Sequence, residues 1–121
     1  MHLAPHCDAH WMGDSNPAAT FGYVARELGK RRIAFLCARE AQREDWLGPQ
    51  LKNAFGGVYI ANERFTQASA EAVISSGQVD AVAFGQLFLA NPDLPRRFSL
   101  HAPLNEPNPA TFYTPGPDGY I

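Results

Sequence analysis

The sequence predicts an α/β architecture with parallel strands and right-handed crossovers, and three observations carry that prediction. Short runs that are apolar on nearly every residue recur at 33–38, 58–61 and 79–84. Stretches with apolar residues at helical spacing fill the gaps between them. The runs start about 25 and then about 21 residues apart, the pitch of a strand, its helix and two loops.

Each element has a local reason. Met1-His2-Leu3-Ala4-Pro5 reads as the end of a first strand. Asp14-Ser15-Asn16 before Pro17 is a helix start, because proline at the first helical position gives up only an N–H that has no partner there. Phe21, Val24, Ala25 and Leu28 form the stripe of that helix, and Gly29 is expected to stop it. Ile33-Ala34-Phe35-Leu36-Cys37-Ala38 is the second strand, with Cys37 a small core residue. Pro49 belongs in the first turn of a shorter helix whose stripe is Leu51, Ala54 and Phe55. Val58-Tyr59-Ile60-Ala61 follows the breaker pair Gly56-Gly57 as the third strand. Thr66 caps a helix that carries Ala70, Val73 and Ile74 and stops at Gly77. The fourth strand is Val79 to Phe84, and Asn91-Pro92-Asp93 opens a last helix with Asp93 in its first turn. Runs apolar throughout suit strands covered on both faces.

Residues 1–101 thus read as four βα units, and 102–121 as an extended Pro/Gly-rich tail that packs on them. Four units are half of what a closed eight-stranded barrel needs, typically about 250 residues. An open four-stranded sheet fits the same pattern, and periodicity does not separate the two.

Composition narrows the function. The chain has 121 residues, 45% hydrophobic and 18% charged, with a formal charge of −2. A field that weak offers no footprint for nucleic acid. No apolar run is long enough to span a bilayer, so no membrane role is expected. Cys7 and Cys37 fit neither a disulfide framework nor a zinc spacing, which points to the cytoplasm. His2, His6, Cys7, Asp8 and His10 lie close in sequence, but neighbours on a short loop cannot all face one centre, so no metal is assigned. Arg39-Glu40 ends a strand, where it either touches substrate or pairs and caps a loop; pairing and capping is the simpler reading. Trp11 and Trp46 read as packing or interface anchors.

From Gly56 onward the residues also resemble a family. Ala83-Phe84-Gly85-Gln86-Leu87-Phe88-Leu89-Ala90-Asn91-Pro92-Asp93-Leu94 is followed by Arg97-Phe98, Pro103-Leu104-Asn105, Thr111-Phe112-Tyr113 and Gly119-Tyr120-Ile121. In order and spacing these blocks resemble the C-terminal part of the old yellow enzyme family (NADH:flavin oxidoreductases and N-ethylmaleimide reductase-like proteins). Leu3-Ala4-Pro5, Asp14-Ser15-Asn16-Pro17 and Arg39-Glu40 look like the preceding βα units. The resemblance implies a partial (β/α)8 TIM barrel whose fifth strand is truncated at Met1 and whose sixth, seventh and eighth strands are the runs above. It implies FMN as cofactor, NADPH or NADH as reductant, and an enone or similar activated alkene as substrate.

In such barrels a phosphate commonly sits at the loops after strands seven and eight. The matching residues are Asn62, Glu63 and Arg64 after one strand and Gly85 and Gln86 after the next. Their backbone N–H groups are expected to cradle the FMN phosphate, with charge from Arg64 and close approach at Gly85. Many relatives carry an arginine where Gln86 stands, so a charge-assisted contact is replaced by a neutral one. Tyr113 and Phe112 match an aromatic pair near the flavin and are the candidate substrate-pocket residues.

The resemblance places the ring-holding residues, the substrate-binding His/His or His/Asn pair and the proton-donating tyrosine in the first four strands. No catalytic residue is therefore assigned in this chain, and His2 stands where relatives have a flavin-facing arginine. A half barrel leaves two strand edges open. The expected partners follow: a second copy of the chain, or a separate N-terminal half-barrel. The alternative is a truncated, inactive module.

Overall fold

The computed structural model describes residues 1–7 and 13–117. The chain forms two compact units, residues 1–83 and 84–121.

The first unit is built on one sheet of four strands in the order β1-β2-β3-β4. These are β1 (His2–Leu3), β2 (Phe35–Arg39), β3 (Val58–Asn62) and β4 (Ala81–Ala83), and every pairing is parallel. Helices α1 (Pro17–Lys30), α2 (Gly48–Phe55) and α3 (Gln67–Ser75) occupy the connections. The strand–helix alternation read from the sequence is thus the observed one.

Local chemistry explains the helix boundaries. Asn16 Oδ1 accepts from Ala19 N at 3.2 Å, and Pro17 takes the first helical position. Thr66 and Ser69 form a reciprocal capping box at the start of α3. Gly56 ends α2 in the left-handed region at φ +68°, where a side chain would be strained. Gly29 does not stop α1, which continues through Lys30. A Cβ on Gly29 would lie 2.3 Å from the Phe55 carbonyl oxygen, so this glycine serves close approach of α1 to the end of α2.

Register fixes which side chains share a face. Phe35 lies beside Val58, Leu36 beside Tyr59, Cys37 beside Ile60 and Ala38 beside Ala61. Leu36, Ala38, Tyr59 and Ala61 are all buried, and with Leu51, Phe55, Val73 and Val79 they make the core. The other face is open: Phe35 is 44% and Val58 50% exposed. The expectation of strands covered on both faces is corrected for these residues, because burial alternates with the pleat. Cys37 belongs to the open face and is half-buried rather than core.

The second unit contains α4 (Gln86–Ala90), α5 (Leu94–Leu100) and a 3-10 turn at Pro109–Thr111. The sequence reading missed α4, and it placed Asp93 inside the last helix, whereas Asp93 is the capping residue of α5. Asn91 is fully buried and ties the tail down. Its Nδ2 donates to the Leu87 and Asn105 carbonyls, and its Oδ1 accepts from Asn105 N at 2.7 Å. Phe84 and Phe98 stack edge to face at 5.2 Å. Among the described residues, no helix is long and apolar enough to cross a membrane.

Candidate functional site

All four strands run the same way, so the loops after β1, β2 and β3 gather at one rim of the sheet. There a cavity of about 330 Å³ is lined by His6, Cys7, Arg39, Glu40, Ala41, Arg43, Glu63 and Arg64. Each wall has a structural origin. Arg39 closes β2 and donates from Nε to Glu63 Oε2 at 3.1 Å. Glu40, the next residue, is 2% exposed. Its Oε1 accepts from Leu47 N at 2.8 Å, holding the entry to α2. The pairing and capping reading of Arg39-Glu40 matches this geometry.

Two polypeptide features mark the turn after β3. Glu63 stands at φ +95° and Arg64 at φ +59°, a region that favours glycine and costs other residues. Among the described residues, neither their backbone N–H groups nor that of Gly85 makes a hydrogen bond. The Arg64 guanidinium also has no ion-pair partner there. Consecutive unpaired N–H groups in such a turn form an anion-receptive surface. Asn62 points its amide elsewhere, donating from Nδ2 to the Ala83 carbonyl at 2.7 Å and so tying β3 to β4.

In the second unit, Gly85 precedes α4 and Gln86 is its first residue; both are exposed. Nothing lies within 4 Å of a Cβ built on Gly85, so the space in front of it is open. Gly85 has no positive φ; its merit is room rather than backbone freedom. Phe112 is half-buried, whereas Tyr113 is 96% exposed at φ +61°. His2 is exposed in β1, in register with Cys37. Asp8, His10, Trp11, Tyr120 and Ile121 lie outside the described residues. Among those described, no group of three His, Cys, Asp or Glu side chains converges on a metal position. Trp46 packs edge-on against Phe65 at 6.3 Å.

Burial sets the electrostatics of the rim. Desolvation pushes the Glu40 carboxyl above the ordinary carboxylate range, against the pull of the Leu47 N–H and of His6. Burial, then the Glu40 charge, pushes the Tyr59 phenol well above its usual value. Glu40 Oε2 and the Tyr59 hydroxyl are both buried with no hydrogen-bond partner among the described residues. His6 Nε2 sits 3.0 Å from Glu40 Oε1. Sequence reasoning singled out His6 and Glu40 separately but missed their contact, since nothing local signals a pairing across 34 residues.

Among the described residues of the first unit, the turn after β3 offers unpaired backbone N–H groups and a cation without an ion-pair partner, a donor set that fits a phosphate group in its chemistry. Glu63 is the dissenting charge, and Arg39 neutralises it.

No protein-family model matches the chain. Individual relatives do. The chain is 37% identical to 12-oxophytodienoate reductase 2 of Arabidopsis thaliana, over 97% of this chain and 33% of that protein. It is 36% identical to a probable flavin mononucleotide-dependent alkene reductase of Leishmania infantum, over 99% and 34%. Among solved structures, the old yellow enzyme homologue of Zymomonas mobilis superposes with a TM-score of 0.92 at 35% identity, covering 98% of this chain and 36% of the other. The old yellow enzyme of Trypanosoma cruzi gives 0.92 at 36% identity, covering 98% and 33%. The chain therefore spans about a third of the length of the relatives it matches. Four parallel strands with their helices, matched at this identity to TIM-barrel enzymes, place the chain in the old yellow enzyme family as a fragment of its barrel.

Proposed function

We propose that this chain supplies the FMN-phosphate-holding part of an NAD(P)H-dependent ene-reductase that acts on enones or similar electrophilic alkenes. The observation that carries the reading is the turn after β3. Among the described residues, Glu63 and Arg64 present unpaired N–H groups from left-handed backbone, and the Arg64 guanidinium has no ion-pair partner. Gly85 and Gln86 are the second contribution, through an exposed N–H and a neutral amide donor. Anion recognition by backbone N–H groups needs no side-chain charge, so Gln86 weakens the grip without abolishing it. Bound FMN would supply hydride transfer between NAD(P)H and the alkene. Tyr113 and Phe112 are the candidate pocket residues on the tail.

Support comes also from a relative whose name records flavin-mononucleotide-dependent alkene reduction, and from a morphinone reductase solved with tetrahydroNAD. The test is direct. The chain is mixed with FMN, alone and with a segment supplying the remaining strands, and assayed for NADPH oxidation with 2-cyclohexenone. A yellow, active complex supports the reading; colourless protein in both mixtures counts against it.

A second reading has its own observation. Among the described residues, no further strand pairs with β1 or β4, and Phe35 and Val58 lie exposed on the open face of the sheet. Such a surface suits a non-catalytic module that pairs with a copy of itself or with a complementing chain. Sedimentation separates the two: a stable flavin-free dimer favours the module, a flavin-loaded complex the enzyme.

A further inference from the structure

Three arginines line the cavity at the sheet rim, and they are not equally committed. Arg43 grips Asp45, two residues away, through Nε at 2.6 Å and Nη2 at 3.1 Å. Arg64 has no ion-pair partner among the described residues. Arg39 is the intermediate case. It reaches from the end of β2 to Glu63 in the turn after β3, through Nε at 3.1 Å and Nη2 at 3.5 Å. Its Nη1 donates to nothing among the described residues. The Arg39 side chain is 54% exposed and that of Glu63 29%, so water screens the pair and its hold is weak. Arg39 is in register with Asn62, the residue before Glu63, which sets its side chain next to the turn that carries the unpaired N–H groups.

Glu63 thus has two opposed roles. Its N–H belongs to the anion-receptive turn, while its carboxylate lines the same cavity and repels any anion that enters. A phosphate dianion carries more charge than that carboxylate and accepts a guanidinium fork through two of its oxygens. The geometry points to Arg39 as a second side-chain ligand of the phosphate: the anion draws it away from Glu63, whose carboxylate is the competitor that limits the grip. This rests on the phosphate-holding reading of the preceding section. In the flavin-free chain Glu63 keeps Arg39 occupied; with phosphate bound, Arg39 and Arg64 share the anion and Arg43 stays on Asp45. Arg39 is the one able to change partner, because its fork is longer than that of Arg43 and it spans two separate segments.

Titration with FMN and with riboflavin, on the chain assembled with the remaining strands, separates effects on the phosphate from effects on the ring. Glu63→Gln should raise the preference for FMN over riboflavin about fivefold or more and leave riboflavin affinity within about twofold. Glu63→Gly removes the carboxylate by a different route and should do the same. Arg39→Ala alone should lower the preference about threefold or more. When Arg39→Ala is combined with Glu63→Gln, most of the gain should disappear, because the freed guanidinium supplies it. An unchanged or smaller preference in both Glu63 variants overturns the proposal. So does a gain that survives Arg39→Ala in full, which would make Glu63 a repelling charge and Arg39 a bystander. Either result leaves the phosphate reading standing. A parent assembly that binds FMN no more tightly than riboflavin sinks that reading, and this proposal with it.

Discussion

Arg39 Nε donates to Glu63 Oε2 across 3.1 Å, and the residue that accepts this bond is held at φ +95°. The pair joins the end of β2 to the turn after β3, and both side chains are partly exposed. An ion pair so placed contributes about 0–1 kcal/mol, whereas a non-glycine residue in that backbone region costs about 1–3 kcal/mol. Strain wins. Glu63→Gly is therefore expected to leave stability unchanged or raise it by about 1 kcal/mol in urea unfolding. A loss larger than about 1 kcal/mol would show that the pair outweighs the strain.

Asp80 acts as a clamp between β3 and β4. Its Oδ2 accepts from Tyr59 N at 2.8 Å and its Oδ1 from Lys52 Nζ at 2.9 Å, while Lys52 also donates to the Gly77 carbonyl. The Tyr59 N–H first, then Lys52, hold the Asp80 carboxyl below the ordinary range. Its contribution is complete above the unfolded value near pH ~4 and is lost as pH falls through the depressed folded value. Because the side chain is 38% exposed, Asp80→Ala should cost only about 1–2 kcal/mol at neutral pH. Chemical unfolding of the variant and the parent should converge below about pH 3.

The Tyr59 hydroxyl is the orphan of the core. The side chain is fully buried and its oxygen has no partner among the described residues. An unpaired buried hydroxyl costs about 1–3 kcal/mol, so Tyr59→Phe is expected to be neutral or stabilising by thermal melting. Destabilisation beyond about 1 kcal/mol would mean that an ordered water satisfies the oxygen.

In the second unit, Asn91→Ala should release the tail. Three hydrogen bonds of a fully buried amide disappear together, leaving the Asn105 N–H and two carbonyls unpaired. The expected cost is about 2–3 kcal/mol. Hydrogen exchange at Asn105 should rise sharply while amides in β2 and β3 keep their protection.

What the sequence made legible was local. Pro17 with Asn16, Pro49, Thr66 and the three apolar runs each state their element within a few residues, and each element is present. Gly29 misled because a glycine near a helix end has two uses, and only the position of Phe55 tells close approach from termination. The five-residue α4 was invisible, being too short to show a period. The open sheet face was hidden as well, since runs apolar throughout do not reveal which side the helices cover.

The rim was half legible. Arg64 and Glu63 stood out as a turn after a strand, but their left-handed backbone carries no glycine to announce it. Glu40 reaching back to Leu47, His6 reaching Glu40, and Asp80 reaching Tyr59 join residues 7, 34 and 21 positions apart. The His6–Glu40 contact comes from the parallel sheet bringing successive loops to one rim, the Glu40–Leu47 contact closes one loop there, and the Asp80–Tyr59 contact joins the starts of β3 and β4 at the opposite end of the sheet; no motif announces any of them.

The claim that the turn after β3 grips a phosphate is tested most directly by comparing FMN with riboflavin, which has the same ring system and lacks only that group. Fluorescence titration of the chain assembled with the remaining strands should show FMN bound at least about tenfold more tightly, a difference of about 1.4 kcal/mol. Arg64→Ala should remove most of that preference. Equal affinity for the two flavins, or a preference for FMN that Arg64→Ala leaves intact, would contradict the account.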